Sequence, residues 1–115
     1  MMKRSEYRRA ARKLLNAPGA YSYLAGTRLT LAGEAVILNL SERGALIRTK
    51  VPLQVRTDDV MDITLSLDEA KVTVEGRIAR VVPQANGSCD IGVAFRNLSA
   101  EDEYLLALEL TKKAL

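Results

Sequence analysis

Histidine is absent from all 115 residues. With it go the commonest general base, the commonest metal ligand and the Ser–His and Cys–His nucleophile pairs. The chain therefore reads as a binding module and not an enzyme, with no metal and no cofactor called for. Cysteine occurs once, as Cys89, so no intramolecular disulfide can form, and a reducing cytoplasmic setting fits best. Cys89 itself reads as a bland, partly buried thiol with no basic partner assignable from sequence. Tryptophan is missing and aromatics make up 4%, which leaves Val, Leu, Ile and Ala to build the core. No window approaches the roughly 20 apolar residues that span a bilayer, and no apolar stretch follows the basic N-terminus as an export signal requires. A Walker-type phosphate loop is also lacking.

What remains is ordinary globular material, 48% apolar and 27% charged, of a length that suits one domain. The net charge of +3 is unevenly spread. Residues 1 to 13 carry Lys3, Arg4, Arg8, Arg9, Arg12 and Lys13 against Glu6 alone, a balance of +5 that leaves −2 for the rest. The positive potential thus belongs to one short arm, which is expected to meet an anion. Residues 3–15 are compatible with a helix or a mobile segment, and Pro18-Gly19 is expected to stop any helix there.

From Arg28 to Phe95 the pattern changes to short alternating runs of Val, Ile, Leu and Thr between turn residues, the mark of an antiparallel sheet. A hairpin is expected with Ala32-Gly33 as its turn, Gly33 supplying a positive φ, and Glu34 to Leu40 as its second strand. Strands follow at Ala45 to Arg48, Val60 to Leu67, Val72 to Val82 and Asp90 to Phe95, the last entered through an Asn86-Gly87 turn. Val72, Val74, Ile78 and Val82 are expected on one buried face. Ser99 reads as the N-cap of a closing helix, with Glu101, Asp102 and Glu103 in its first turn and Lys112 and Lys113 in its last. Tyr104, Leu105 and Leu108 supply its apolar side. The acidic clusters Asp58-Asp59 and Glu101-Asp102-Glu103 read as solvated structural groups. The layout is about six strands and a helix, spaced as in a small barrel.

Two short patterns are left over by folding needs. Arg8-Arg9-Ala10-Ala11-Arg12 sets two arginines four residues apart on the arm, and the planar, permanently charged guanidinium makes paired hydrogen bonds to phosphate or to the O6/N7 edge of guanine. The plain alternative is a solvated charge run. Asn39-Leu40-Ser41-Glu42-Arg43-Gly44 ends a strand and enters a turn. In an extended chain Asn39 and Ser41 point the same way while Leu40 points to the core, and Gly44 allows the backbone to turn. The plain alternative is an Asx or Ser turn that satisfies its own backbone.

With both patterns in view, the chain resembles the PilZ domain family, whose ligand-binding members carry RxxxR on an N-terminal arm and [D/N]xSxxG at the start of a barrel. Here Arg8 to Arg12 matches the first and Asn39 to Gly44 the second, 27 positions apart and in the expected order. Gly76 to Val81 resembles the family's long central strand, and Asp90 to Phe95 with Asn97-Leu98-Ser99 its closing strand and helix entry. The resemblance implies an all-β fold, a six-stranded antiparallel PilZ-type barrel with a C-terminal α-helix, divided as residues 1–19 for the basic arm and 20–115 for the barrel and helix. It also implies cyclic di-GMP as ligand. Arg8 and Arg12 would then bind phosphate and guanine, Arg9 would add a second-tier phosphate contact, Asn39 would accept from guanine N–H groups, Ser41 would add a polar contact, and Gly44 would permit close approach. Asn39 stands where many members have aspartate and so lacks its charge assistance. Arg80 stands where some members present an aromatic, and either stacks on a base or points to solvent. The implied function is that of a bacterial, cytoplasmic second-messenger receptor whose arm closes on the ligand and signals to a protein partner in trans. The alternatives are a PilZ-fold interaction adaptor that binds no nucleotide and, less in keeping with the −2 body, a nucleic-acid binder.

Overall fold

The computed structural model describes residues 13–25, 29–50, 55–67 and 70–112. Six strands and one helix lie among them: β1 (Lys13–Ala25), β2 (Leu29–Leu40), β3 (Gly44–Thr49), β4 (Val60–Ser66), β5 (Lys71–Pro83), β6 (Cys89–Arg96) and α1 (Ala100–Lys112). All neighbouring strands are antiparallel, and the sheet closes in the order β1-β2-β3-β6-β5-β4. Closure gives every strand a hydrogen-bonded neighbour on each side over part of its length.

Alternation puts Ile37, Ile47, Ile63, Leu65, Ile78 and Ile91 inside, each essentially inaccessible to water. Burying a side chain of this size contributes about 1.5–3 kcal/mol. These aliphatics, with Tyr21 and Tyr23 from β1, form one continuous core, as a chain poor in aromatics requires. Leu106 of α1, 1% exposed, joins that core, with Leu98, Leu105 and Leu110 packed around it. The helix starts where its chemistry requires: Asp102 N donates to Ser99 Oγ at 3.0 Å, and three acidic residues occupy the first turn. No helix among the described residues is long and apolar enough to cross a membrane.

The structure corrects several local expectations. Residues 13–15 belong to β1, and Pro18 and Gly19 lie inside that strand instead of stopping a helix. Pro18 is tolerated because β1 meets β4 only from Gly19 to Tyr23, so its missing N–H falls on a stretch with no second neighbour among the described residues. Ala32-Gly33 is not a turn. Gly33 lies within β2 opposite Tyr21, without a positive φ, and a Cβ there would come within 3.1 Å of the Tyr21 hydroxyl. The β1–β2 connection falls at residues 26–28, outside the described residues. Asn86-Gly87 does turn the chain, with Gly87 at φ 90° and Gln84 N donating to Ser88 O at 2.8 Å. In β5 a bulge between Ile78 and Arg80 flips the remaining alternation. Val81 then packs on the core, and Val82 is 39% exposed in place of the buried position expected for it. On α1 the apolar side is rotated from the expected one, leaving Tyr104 63% exposed while Leu106 is buried.

Asp58 and Asp59 hold a loop against the barrel. Asp58 N donates to Ile78 O and Ile78 N to Asp59 O, both at 2.7 Å. The Asp58 carboxylate pairs with Arg77 at 2.9 Å, and Asp59 accepts the Tyr23 hydroxyl at 2.6 Å. That hydrogen bond, and then burial, raises the Tyr23 hydroxyl above its ordinary value.

Candidate functional site

The segment Asn39 to Gly44 joins β2 to β3 as a compact turn built by its own serine. Ser41 Oγ accepts from Arg43 N and Gly44 N, each at 3.2 Å, and donates to Gly44 O at 3.3 Å. Ser41 N donates to the same carbonyl at 2.9 Å. The self-satisfying Ser turn weighed from the sequence is what forms here. Leu40 is fully buried, as alternation requires. Phe95 N donates to Arg43 O at 2.8 Å and ties the turn to β6.

Gly44 serves the turn for a reason other than the expected one. Its φ is not in the left-handed region. A Cβ at this position would lie 2.2 Å from the Val93 carbonyl oxygen, so the missing side chain is what lets β6 approach.

Asn39 is partly exposed and follows a register shift in β2 between Ile37 and Asn39. Among the described residues its side chain has no hydrogen-bond partner. Its neighbours across the sheet define a row: Leu14 pairs with Asn39, Asn39 with Leu46, Leu46 with Gly92, and Gly92 with Arg80. Leu46 and Gly92 are flanked along their strands by buried residues, so alternation turns the row from Asn39 to Arg80 to the outer face of the barrel. Asn39 and Arg80 are three strand spacings apart on that row, about 14 Å at the usual inter-strand distance. Bordering it, Arg48 and Asp90 face one another in a two-pronged pair, Nε to Oδ1 at 2.6 Å and Nη2 to Oδ2 at 2.9 Å. The hydrogen bond to Asp90 holds the Arg48 guanidinium above its ordinary pKa. On the other border lie Gly44, Ala94 and Arg77. Beyond them an open groove of about 710 Å³ separates the turn from α1, lined among others by Glu42, Arg43, Phe95, Leu98, Glu103 and Leu106.

The structure therefore gathers Asn39, Ser41 and Gly44 into one turn and sets the exposed Arg80 at the far end of the same outer row. Arg8, Arg9 and Arg12 lie outside the described residues. Sequence reasoning did not find Leu46, Gly92 and the Arg48–Asp90 pair, since only the register of four strands brings them together. Among the described residues no three His, Cys, Asp or Glu side chains gather as metal ligands. Cys89 is buried in the core.

The profile of the PilZ domain matches residues 3–110. No curated protein matches the chain in sequence. Solved structures of low identity share the fold. The motility inhibitor MotI/DgrA of Bacillus subtilis has a TM-score of 0.71 at 12% identity, over 90% of this chain and 49% of that one. The chain thus spans about half the length of the B. subtilis protein. The PilZ domain of CeSA from a cellulose-synthesizing bacterium gives 0.64 at 18% identity, over 89% and 97% of the two chains. The PilZ domain of YcgR from Escherichia coli, solved with c-di-GMP, gives 0.58 at 16% identity, over 87% and 86%.

Proposed function

The chain belongs to the PilZ domain family, and on that premise we propose that it is a non-enzymatic bacterial receptor for cyclic di-GMP, acting in the cytoplasm. The observation that carries this reading is the register at the start of β1: Lys13 pairs with Leu40 and Leu14 with Asn39. The chain bearing Arg8, Arg9 and Arg12 thus joins the barrel beside the Asn39–Gly44 turn, with Arg12 the next residue in sequence before Lys13. Arg8 is five residues from Lys13, a span of at most about 18 Å of extended chain, so both motifs can serve one ligand. The c-di-GMP-bound PilZ domain of YcgR adds a fold-level parallel.

In this reading Arg8 and Arg12 hold phosphate and the guanine acceptor edge, with Arg9 as a further phosphate contact. Asn39 accepts from guanine N–H groups, and as a neutral amide it does so without the assistance of a carboxylate. Ser41 and Gly44 keep the turn that presents Asn39, and Arg80 stacks on a base. The arm closes over the outer face when the ligand binds, and its altered contacts inform a protein partner. Ordering the ten residues from Lys3 to Arg12 would cost about 10–20 kcal/mol from a fully disordered state, more than three charge-assisted bonds of about 1.5–3 kcal/mol each supply. Apolar contacts of Tyr7 and the alanines with the barrel would make up part of the difference.

Calorimetric titration with cyclic di-GMP, with GTP as control, tests the proposal. Arg8→Ala and Arg12→Ala are each expected to weaken binding about tenfold or more. Parent-like titration of both variants refutes the site, and a parent that binds neither nucleotide leaves the interaction adaptor as the function.

A further inference from the structure

Strict alternation along β5 would turn Arg80 into the barrel. Val72, Val74, Gly76 and Ile78 all lie on the inner face, and each second residue after them should do the same. A bulge breaks the sequence. Ile78 pairs with Val93 and Arg80 with Gly92, so two steps of β5 answer one of β6. Arg80 thereby moves to the outer face, and Val81 takes the inner position, packed on the core. The direction of Arg80 is a property of the bulge.

Ile78, where the alternation changes, is also held on the side away from β6. Among the described residues β4 pairs with β5 only as far as Val60–Arg77, and a turn at residues 56–59 takes over from there. Ile78 N donates to Asp59 O and Asp58 N to Ile78 O, both at 2.7 Å, while Asp59 N donates to Arg56 O at 3.2 Å and closes the turn. Asp58 sits at φ 74°, in the left-handed region that favours glycine. Such a conformation persists where its surroundings over-determine it, and it clusters at functional sites. Two side-chain contacts add to the constraint. Arg77 Nη1 donates to Asp58 Oδ1 at 2.9 Å, an exposed pair that contributes little. The Tyr23 hydroxyl, on a β1 side chain that is 3% exposed, donates to Asp59 Oδ2 at 2.6 Å. Short, charge-assisted and partly buried, that second bond is the stronger tie.

We propose that Tyr23 and Asp59 are positioning residues for ligand binding: their hydrogen bond clamps the 56–59 turn on Ile78, the turn fixes the near side of the bulge, and the bulge keeps Arg80 on the outer face. This rests on the receptor reading above. Without the bond the turn and Ile78 part more often, Arg80 is no longer held in one direction, and the ligand must order it on binding. Tyr23 points into the barrel, so its effect on a ligand at the outer face passes through the bulge.

The test is titration of the parent, Tyr23→Phe, Asp59→Ala, Asp59→Asn and Arg80→Ala with cyclic di-GMP, at a temperature where thermal unfolding shows each variant folded. Tyr23→Phe and Asp59→Ala are each expected to weaken binding about 3- to 10-fold. Asp59→Asn keeps an oxygen that accepts the hydroxyl and is expected to stay within about twofold of the parent. In an Arg80→Ala background Tyr23→Phe should change affinity by less than about twofold, since both act through one side chain. Hydrogen exchange without ligand supplies a local readout: the Ile78 amide should exchange about tenfold faster in Tyr23→Phe than in the parent, measured relative to Val74 in the same strand. A merely structural bond would lower stability and leave affinity, additivity and that ratio alone. Parent-like affinity of Tyr23→Phe overturns the proposal, as does full additivity with Arg80→Ala or an unchanged Ile78 ratio. If Asp59→Ala fails to fold, Tyr23→Phe decides the matter by the same three readouts. A parent that does not bind cyclic di-GMP refutes the receptor reading and the positioning role with it, whereas binding by the parent with indifference to Tyr23→Phe refutes the clamp alone.

Discussion

Replacing Gly44 by alanine adds one methyl group where the barrel has no room for it. The new carbon would start 2.2 Å from the Val93 carbonyl oxygen, whereas carbon–oxygen contacts normally settle near about 3.3 Å. The obstacle is backbone, so no rotamer change relieves it, and β3 and β6 must part by about 1 Å at the Gly44–Ala94 pair. The Phe95 N to Arg43 O bond, 2.8 Å in the structure, would then fall outside hydrogen-bonding range. Overpacking of this kind costs about 1–3 kcal/mol and a lost backbone hydrogen bond about 0.5–1.5 kcal/mol. The sum, about 1.5–4.5 kcal/mol, corresponds to roughly 6–18 °C in a domain of this size. Urea or thermal unfolding measures it directly, with Gly92→Ala as the matched control, since among the described residues a Cβ there meets only Arg80 Cβ at 3.8 Å. The control is expected within about 1 kcal/mol of the parent, on the stabilising side. Equal stability of Gly44→Ala and the parent would show that the β3–β6 approach is not what holds this glycine.

Ser99→Ala removes the acceptor for Asp102 N and is expected to lower stability by about 0.5–2 kcal/mol, read as earlier unfolding in urea. Tyr23→Phe removes the hydroxyl that bonds Asp59, with an expected loss of about 1.5–3 kcal/mol at neutral pH. Because folding raises the Tyr23 pKa above 10.0, its contribution is complete below that value and is lost as pH rises through the higher folded one. The stability gap between parent and Tyr23→Phe should therefore narrow above about pH 10, and a gap that is constant through alkaline pH refutes the assignment.

Where local chemistry governs the structure, the sequence was a sufficient guide. Alternation located Val72, Val74 and Ile78 inside the barrel, the acidic first turn and Ser99 marked the helix start, and Asn86-Gly87 marked a turn. The failures share one cause, namely partners remote in sequence. Gly33 looked like a turn because the Tyr21 ring that occupies its missing side chain comes from a neighbouring strand. Val82 was put inside because a bulge two residues earlier, set by pairing with β6, has no signature in β5 itself. The candidate site divides along the same line. The Asn39–Gly44 turn was visible as a motif, but its alignment with Leu46, Gly92 and Arg80 depends on three successive registers.

That turn also shows one motif carrying two separable tasks. Ser41 spends its hydroxyl on the backbone of Arg43 and Gly44, and Gly44 yields its side-chain volume to Val93, so both act first on the fold. Asn39 is partly exposed and is joined to the barrel through its backbone pairings with Leu14 and Leu46. Truncating it should leave stability within about 0.5 kcal/mol of the parent. The same change removes an acceptor for guanine and should weaken cyclic di-GMP binding by about tenfold, whereas Asn39→Asp, with a stronger acceptor, should preserve or tighten it. Ser41→Ala reverses the pattern: it leaves Arg43 N and Gly44 N without their acceptor and should lower stability by about 1–2 kcal/mol. Its affinity should fall only as far as the turn loosens. Unfolding and titration of the two alanine variants together decide the matter. If Asn39→Ala unfolds early with parent affinity, while Ser41→Ala loses affinity with parent stability, the division of tasks is the reverse of the one argued here.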